Sequence, residues 1–239
     1  MIKLSKQFIS KIFNQMGLDI VRLPKRPRYS FLGLRHLPIC SIIDGGANTG
    51  QFARDIVTIF PKAHIYCFEP LIEPYEKLRK WAEKQNGTVT VFNVALGDSK
   101  GNVEMLCHSN HSPSSSLLKS TDLCQSLYPF TQKQSSVSTQ LTTLDEWVKN
   151  LPNSFTPEIL IKLDVQGYED RVIKGGRKTF EMAKASILEV CLDKLYEGQA
   201  EFKEITELLY ELGFKYAGNL NQTYADDGHV IFIDAVFVK

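Results

Sequence analysis

The sequence predicts an α/β domain, a mostly parallel seven-stranded sheet with helices on both faces. Three observations predict it. Short apolar runs alternate with stretches of helical period along most of the chain. The first such run, residues 39–43, ends in an acid and a glycine turn, Asp44-Gly45-Gly46-Ala47-Asn48-Thr49-Gly50, and a helical pattern follows with Phe52, Ile56 and Ile59 on one face. Strand, glycine turn and helix open the ligand site of a doubly wound sheet. The chain has 239 residues, 43% of them apolar, which suffices for one sizeable domain, and no second core is required.

Net charge is +1, so bulk electrostatics name no partner, and no nucleic-acid partner is expected. The distribution is uneven. Residues 1–35 carry eight basic side chains against Asp19 alone, which leaves the remainder acidic. Residues 2–16 place Phe8, Ile9, Ile12, Phe13 and Met16 on one helical face. Such a helix either packs on the domain or rests on anionic lipid through residues 1–28. Pro24, Pro27 and Pro38 mark 24–38 as a connector, so the sequence divides into an N-terminal segment, 1–38, and a domain, 39–239. The five cysteines are odd in number and show no CxxC spacing. With no apolar run long enough to span a bilayer, a reducing, cytoplasmic setting is expected, with contact at a membrane's inner face as the variant.

Residues 64–68 form a second strand pattern ending at Glu69-Pro70, and 70–84 a helix with Tyr75, Leu78 and Trp81 or Ala82 inward. An acid ending the second strand can accept both ribose hydroxyls of a nucleoside. Residues 88–92 read as the third strand. The stretch 99–141 departs from the alternation. Residues 102–107 and 137–141 resemble strands, while 109–138 is polar and reads as a mobile lid. His108 and His111 fall there. No further ligand cluster accompanies them, and no metal is expected. Thr143 is placed to cap a short helix, with Glu146 in the reciprocal position. Residues 159–163 form a buried strand ending in Asp164, followed by Val165-Gln166-Gly167-Tyr168-Glu169. Residues 185–190 form the fifth strand and 201–212 a helix closed by Gly213. Two strands, 214–216 and 229–238, complete the chain.

The glycine turn departs from the dinucleotide fingerprint, because Ala47 stands where a glycine would let the backbone meet a pyrophosphate. Asp44 would repel a diphosphate but can pair with an ammonium. S-adenosylmethionine (SAM) has an α-ammonium, a sulfonium and no phosphate.

The motifs Asp44 to Gly50, Phe68-Glu69-Pro70, Asn93-Val94-Ala95-Leu96-Gly97-Asp98, Ser114-Ser115-Ser116-Leu117, Thr143-Leu144-Asp145-Glu146-Trp147 and Lys162 to Glu169 occur in order over residues 39–239. Together they resemble the FkbM family and its Rossmann-like class I methyltransferase fold. The resemblance implies SAM-dependent methyl transfer to a hydroxyl of a sugar, glycolipid, polysaccharide or polyketide-like acceptor. It implies that Asp44, Gly45, Gly46, Ala47, Asn48 and Gly50 hold the methionine end, that Glu69 and Pro70 take the ribose, and that Asn93, Ala95 and Leu96 border the adenine. Asp164 stands at the edge between cofactor and acceptor and is the leading candidate base. His108, His111, Tyr168 and Glu189 are alternatives. Family members often carry Glu where Gln166 stands here. Two readings compete, a nicotinamide-dependent oxidoreductase and a non-catalytic SAM-binding or membrane-recruited module.

Overall fold

The structure, a computed structural model, describes residues 11, 13–18, 30–108, 112–151 and 155–239. His111, most of the expected N-terminal helix and the basic stretch 19–29 lie outside the described residues.

A 3-10 helix, Phe31–His36, leads into β1 (Ser41–Gly45), α1 (Gln51–Ile59), β2 (His64–Phe68), α2 (Ile72–Ala82), β3 (Val89–Phe92) and β4 (Ala95–Leu96). Next come β5 (Gly101–His108), α3 (Asp122–Leu127), β6 (Gln134–Thr142), α4 (Leu144–Lys149), β7 (Ile159–Leu163), α5 (Glu169–Gly175) and α6 (Arg177–Met182). The chain closes with β8 (Ala183–Cys191), α7 (Phe202–Glu211), β9 (Lys215–Tyr224) and β10 (Val230–Val238). Seven strands form one sheet in the order β3-β2-β1-β7-β8-β10-β9. Neighbours are parallel from β3 to β8, and β10 runs antiparallel to both its neighbours. Strand order reverses between β1 and β7, which opens a crevice at their carboxyl ends.

The alternation of side chains along buried strands divides the core in two. Ile42, Ile65, Leu160 and Val236 pack beneath Ala53 and Ile56 of α1 and Leu78 and Ala82 of α2. Ile43, Ile161, Leu163, Leu188 and Phe237 pack on the opposite face against Leu144, Val172, Phe180 and Leu209. Phe31 and Leu34, which the connector reading places outside the domain, are buried in the first of these layers. Phe13, Met16 and Leu18 are exposed.

A second sheet, order β4-β6-β5, lies within residues 95–142. Gly101 opens β5 and pairs with Leu141, and the antiparallel register runs out to His108 and Gln134. The polar stretch between β5 and β6 has fixed partners. The Thr121 hydroxyl donates to Lys194 O at 2.7 Å, Ser120 forms a bridge with Tyr196, and Lys119 pairs with Glu197 at 2.8 Å. Cys124 packs with Cys191, Leu195 and Tyr196. Thr143 caps α4 by accepting from Glu146 N at 3.1 Å, while the Glu146 side chain meets Lys149 and Asn150 instead of reciprocating. The last hairpin is longer than its apolar pattern suggests, because β9 continues through Asn219, Gln222 and Thr223 with register shifts against β10.

Candidate active site

The 45–50 loop is held from below by its own strand ends. Gly46 N and Ala47 N both donate to Phe68 O at 3.0 Å, and Asp164 N donates to Gly45 O at 3.0 Å. Gly46 has φ +75, and a Cβ there would stand 1.8 Å from the Asp164 carbonyl oxygen. Only glycine permits both the backbone and the approach. Gly50, φ +89, caps α1 against Leu78. The result is a bare backbone cradle at the switch point of the sheet.

A cavity of about 780 Å³ opens above it, within the range that takes a nucleoside-sized ligand. On the β2–β3 side its wall contains Glu69, Pro70, Leu71, Val94, Ala95 and Leu96. On the β7–β8–β10 side it contains Lys162, Asp164, Tyr168, Glu189, Asn221 and Asp234. Gly46, Ala47 and Asn48 lie between the two, and Ser112, Ser115 and Leu117 reach over from the second sheet.

Glu69 is nearly fully buried. One carboxylate oxygen accepts from Asn48 N and the other from Leu71 N, each at 2.8 Å. Each oxygen keeps a further lone pair for a ligand hydroxyl. Burial pushes its pKa up to about 7, against the two amides, which lower it. Asn93 does not border the cavity. Its side-chain amide donates to Glu69 O and Pro70 O at 2.9 Å and so fixes the turn that carries the acid.

Asp44 is 0% exposed and does not line the cavity. Its Oδ1 lies 3.6 Å from Lys162 Nζ, so a cation of the chain itself stands where the sequence reading assigned a ligand ammonium. Neither carboxylate oxygen of Asp44 has a hydrogen-bond partner, and burial raises its pKa to about 6. Lys162 stands between two acids, with Asp164 Oδ2 at 3.2 Å on its other side. Burial pulls the ammonium down, but Asp164, Asp44 and Glu189 outweigh it and hold the group charged. Lys162 escaped the sequence reading as a site residue. Its signal is a lysine inside the run Ile159-Leu160-Ile161, where alternation carries position 162 to the α1 face.

Gly45 and Gly50 support the loop from outside the cavity wall. His108 is buried at the end of β5 and is not part of that wall, and its backbone N donates to the hydroxyl of Ser115, which is. Among the described residues no three His, Cys, Asp or Glu side chains are arranged to hold a metal.

The fold, the glycine cradle and the acid-ended strands stand together with a match to the family model "Methyltransferase FkbM domain" over residues 44–216. The chain belongs to the FkbM methyltransferase family. It is 29% identical to the 2-O-methyltransferase NoeI of Sinorhizobium fredii over 177 residues, 70% of each chain. It is 23% identical to the hexuronic acid methyltransferase AglP of Haloferax volcanii over 188 residues, 79% of this chain and 68% of that one. Among solved structures, a precorrin-6y C5,15-methyltransferase from Geobacter metallireducens shares 14% identity with a TM-score of 0.43, covering 88% of this chain and 84% of that one.

The protein is thus a SAM-dependent methyltransferase. The cradle fits that cofactor. The backbone of Gly46, Ala47 and Asn48 borders the cavity, the buried acid Glu69 lies one strand over, and the apolar Val94, Ala95 and Leu96 line the wall beyond it. No helix among the described residues is long and apolar enough to cross a membrane.

Proposed function

We propose that this FkbM methyltransferase transfers a methyl group to a hydroxyl of a sugar or glycan. Glu69 takes the ribose hydroxyls, Ala95 and Leu96 flank the adenine, and the Gly46, Ala47 and Asn48 backbone holds the methionine end. SAM supplies a methyl carbon already activated by its sulfonium. The chain's remaining task is to align an acceptor oxygen and take its proton.

The observation that carries this reading is the division of the cavity at the switch point. The nucleoside side presents one acid and an apolar wall. The other side presents Asp164, Glu189, Asn221 and Asp234, groups that accept from or donate to hydroxyls. Asp164 lies next to the cradle and is the proton acceptor in this reading. Its side chain is 30% exposed, so an acceptor can reach it. Lys162 pairs with one carboxylate oxygen, Oδ2 at 3.2 Å, and orients the group.

The names of the two relatives, a 2-O-methyltransferase and a hexuronic acid methyltransferase, support a sugar acceptor. The test incubates the full chain with methyl-labelled SAM and glycolipid or polysaccharide fractions from the source cell, read by mass spectrometry. A methyl group on a sugar hydroxyl is expected. Label on carboxylate, nitrogen or protein alone would overturn it.

A further inference from the structure

Gln166 occupies a backbone conformation that costs it energy. Its φ is +55, in the left-handed region, and Gly167 follows at +90. A glycine would sit there freely, whereas a side chain is strained. What the side chain does in return is visible. Its Nε2 donates to Asp164 Oδ1 at 2.7 Å and to Glu189 Oε1 at 2.6 Å. Its Oε1 accepts from the Tyr196 hydroxyl. That phenol is buried, and with its hydroxyl donating to Oε1 the amide's Nε2 is the atom that faces the two acids.

We propose that Gln166 is a positioning residue for methyl transfer, holding Asp164 and Glu189 side by side as acceptor-facing acids through one amide locked by Tyr196. The inference rests on the reading of Asp164 as proton acceptor. Two carboxyl groups this close repel each other, and a donor between them offsets part of that repulsion. The amide supplies one donor to each. It leaves Asp164 with Gln166 on Oδ1 and Lys162 on Oδ2, which fixes the plane of the carboxylate.

The same residue ties this pair to the wall from the second sheet. The Ser116 hydroxyl donates to Gln166 O at 2.6 Å, and Tyr196 OH also reaches Ser114 O at 3.4 Å. Ser115 and Leu117, which line the cavity, are their neighbours. The charged and titratable groups facing the pair are Lys162 on β7, Asp234 on β10, Glu169 on α5, Cys191 at the end of β8 and Tyr196 after it, with Asp44 behind Lys162. Burial, then Asp164 and Asp234, raises Glu189 well above the ordinary carboxylate range. Loss of the amide donor raises Glu189 further, because the repulsion from Asp164 then goes unopposed.

The test is a pH titration of the Asp164 and Glu189 side-chain carboxyl ¹³C resonances in the full chain. Wild type is compared with Gln166→Met, which keeps the length and removes the donors, and with Tyr196→Phe, which keeps the buried ring and frees the amide. In Gln166→Met the midpoint of the pair is expected to rise by about one pH unit, and in Tyr196→Phe by less in the same direction. Each variant's Tm reports folding, and Tyr196→Phe carries the test if Gln166→Met does not fold. Midpoints unmoved in a folded variant would overturn the proposal. Because no acceptor or turnover is involved, such a failure is separate from a failure of the sugar-methylation reading.

Discussion

A side chain on Gly46 would collide with the backbone carbonyl of Asp164 at 1.8 Å, so the cofactor loop and the acid-bearing turn are in direct backbone contact. This contact joins the first and last motifs of the family across the β1–β7 switch point. Gly46→Ala must push the two turns apart and force φ +75 on an alanine. A stability loss of about 1–3 kcal/mol is expected from overpacking, with SAM affinity falling at least about tenfold. Calorimetry and a thermal melt measure both. Wild-type affinity in the variant would mean that the loop does not carry the cofactor.

Glu69→Ala removes two carboxylate oxygens from the nucleoside side. Affinity for SAM should weaken by about 1.5–3 kcal/mol if a charge-assisted pair of ribose bonds is lost. The wild type should also bind more tightly as pH rises through about 7, the value to which burial lifts this group. Hydroxyl donors favour the ionised form, so binding expels a proton. Titration calorimetry in buffers of different ionisation heat detects that release, and its absence would argue against contact with Glu69.

Asp164→Asn keeps shape and removes basicity. Turnover on the labelled glycan acceptor should fall by about 10²–10⁴, with SAM affinity changed much less. A collapse of affinity instead would make Asp164 a cofactor ligand. Undiminished turnover would move the proton to another group, with Glu189 next across the Gln166 amide.

Lys162→Met leaves Asp44 and Asp164 facing each other without their shared cation. Breaking a buried pair from one side typically costs about 3–5 kcal/mol. Adding Asp44→Asn to Lys162→Met should recover part of that loss, because the fully buried acid is then neutral. Denaturant unfolding of the two single variants and the double variant closes the cycle. Strict additivity would show that the two side chains do not interact.

The ligand-free chain should lose stability as pH rises through mild acidity. Burial lifts Glu69 and Glu169 to about 7 and Asp44 to about 6, above their unfolded values of 4.5 and 3.8. Between those limits the folded chain holds protons that the unfolded chain has released, so unfolding becomes easier with pH. Tm should decline between about pH 4.5 and 7.5, and Glu169→Gln should flatten the slope. A Tm rising across that window would contradict the assignment.

The order of elements, the cradle and the acids at the strand ends were legible in the sequence because each rests on local rules. Apolar runs with period two end where Asp44, Glu69 and Asp164 begin, and a glycine turn needs no distant partner to be recognised. Other features depended on partners remote in sequence. Asp44 faces inward to Lys162, 118 positions away, because parallel pairing of β1 with β7 sets them opposite each other. His108 is an alternative base by residue type, yet β5 pairs into the second sheet and leaves it buried outside the cavity wall. Composition alone names no partners for the polar stretch 109–138. In the structure Thr121 and Ser116 find carbonyls at Lys194 and Gln166. The sequence by itself determined which segments form the sheet and where its ligand edge lies, through periodicity and turn chemistry. Only the tertiary structure decided which buried charges meet, because strand register and the crossing of the second sheet set those distances and no local pattern encodes them.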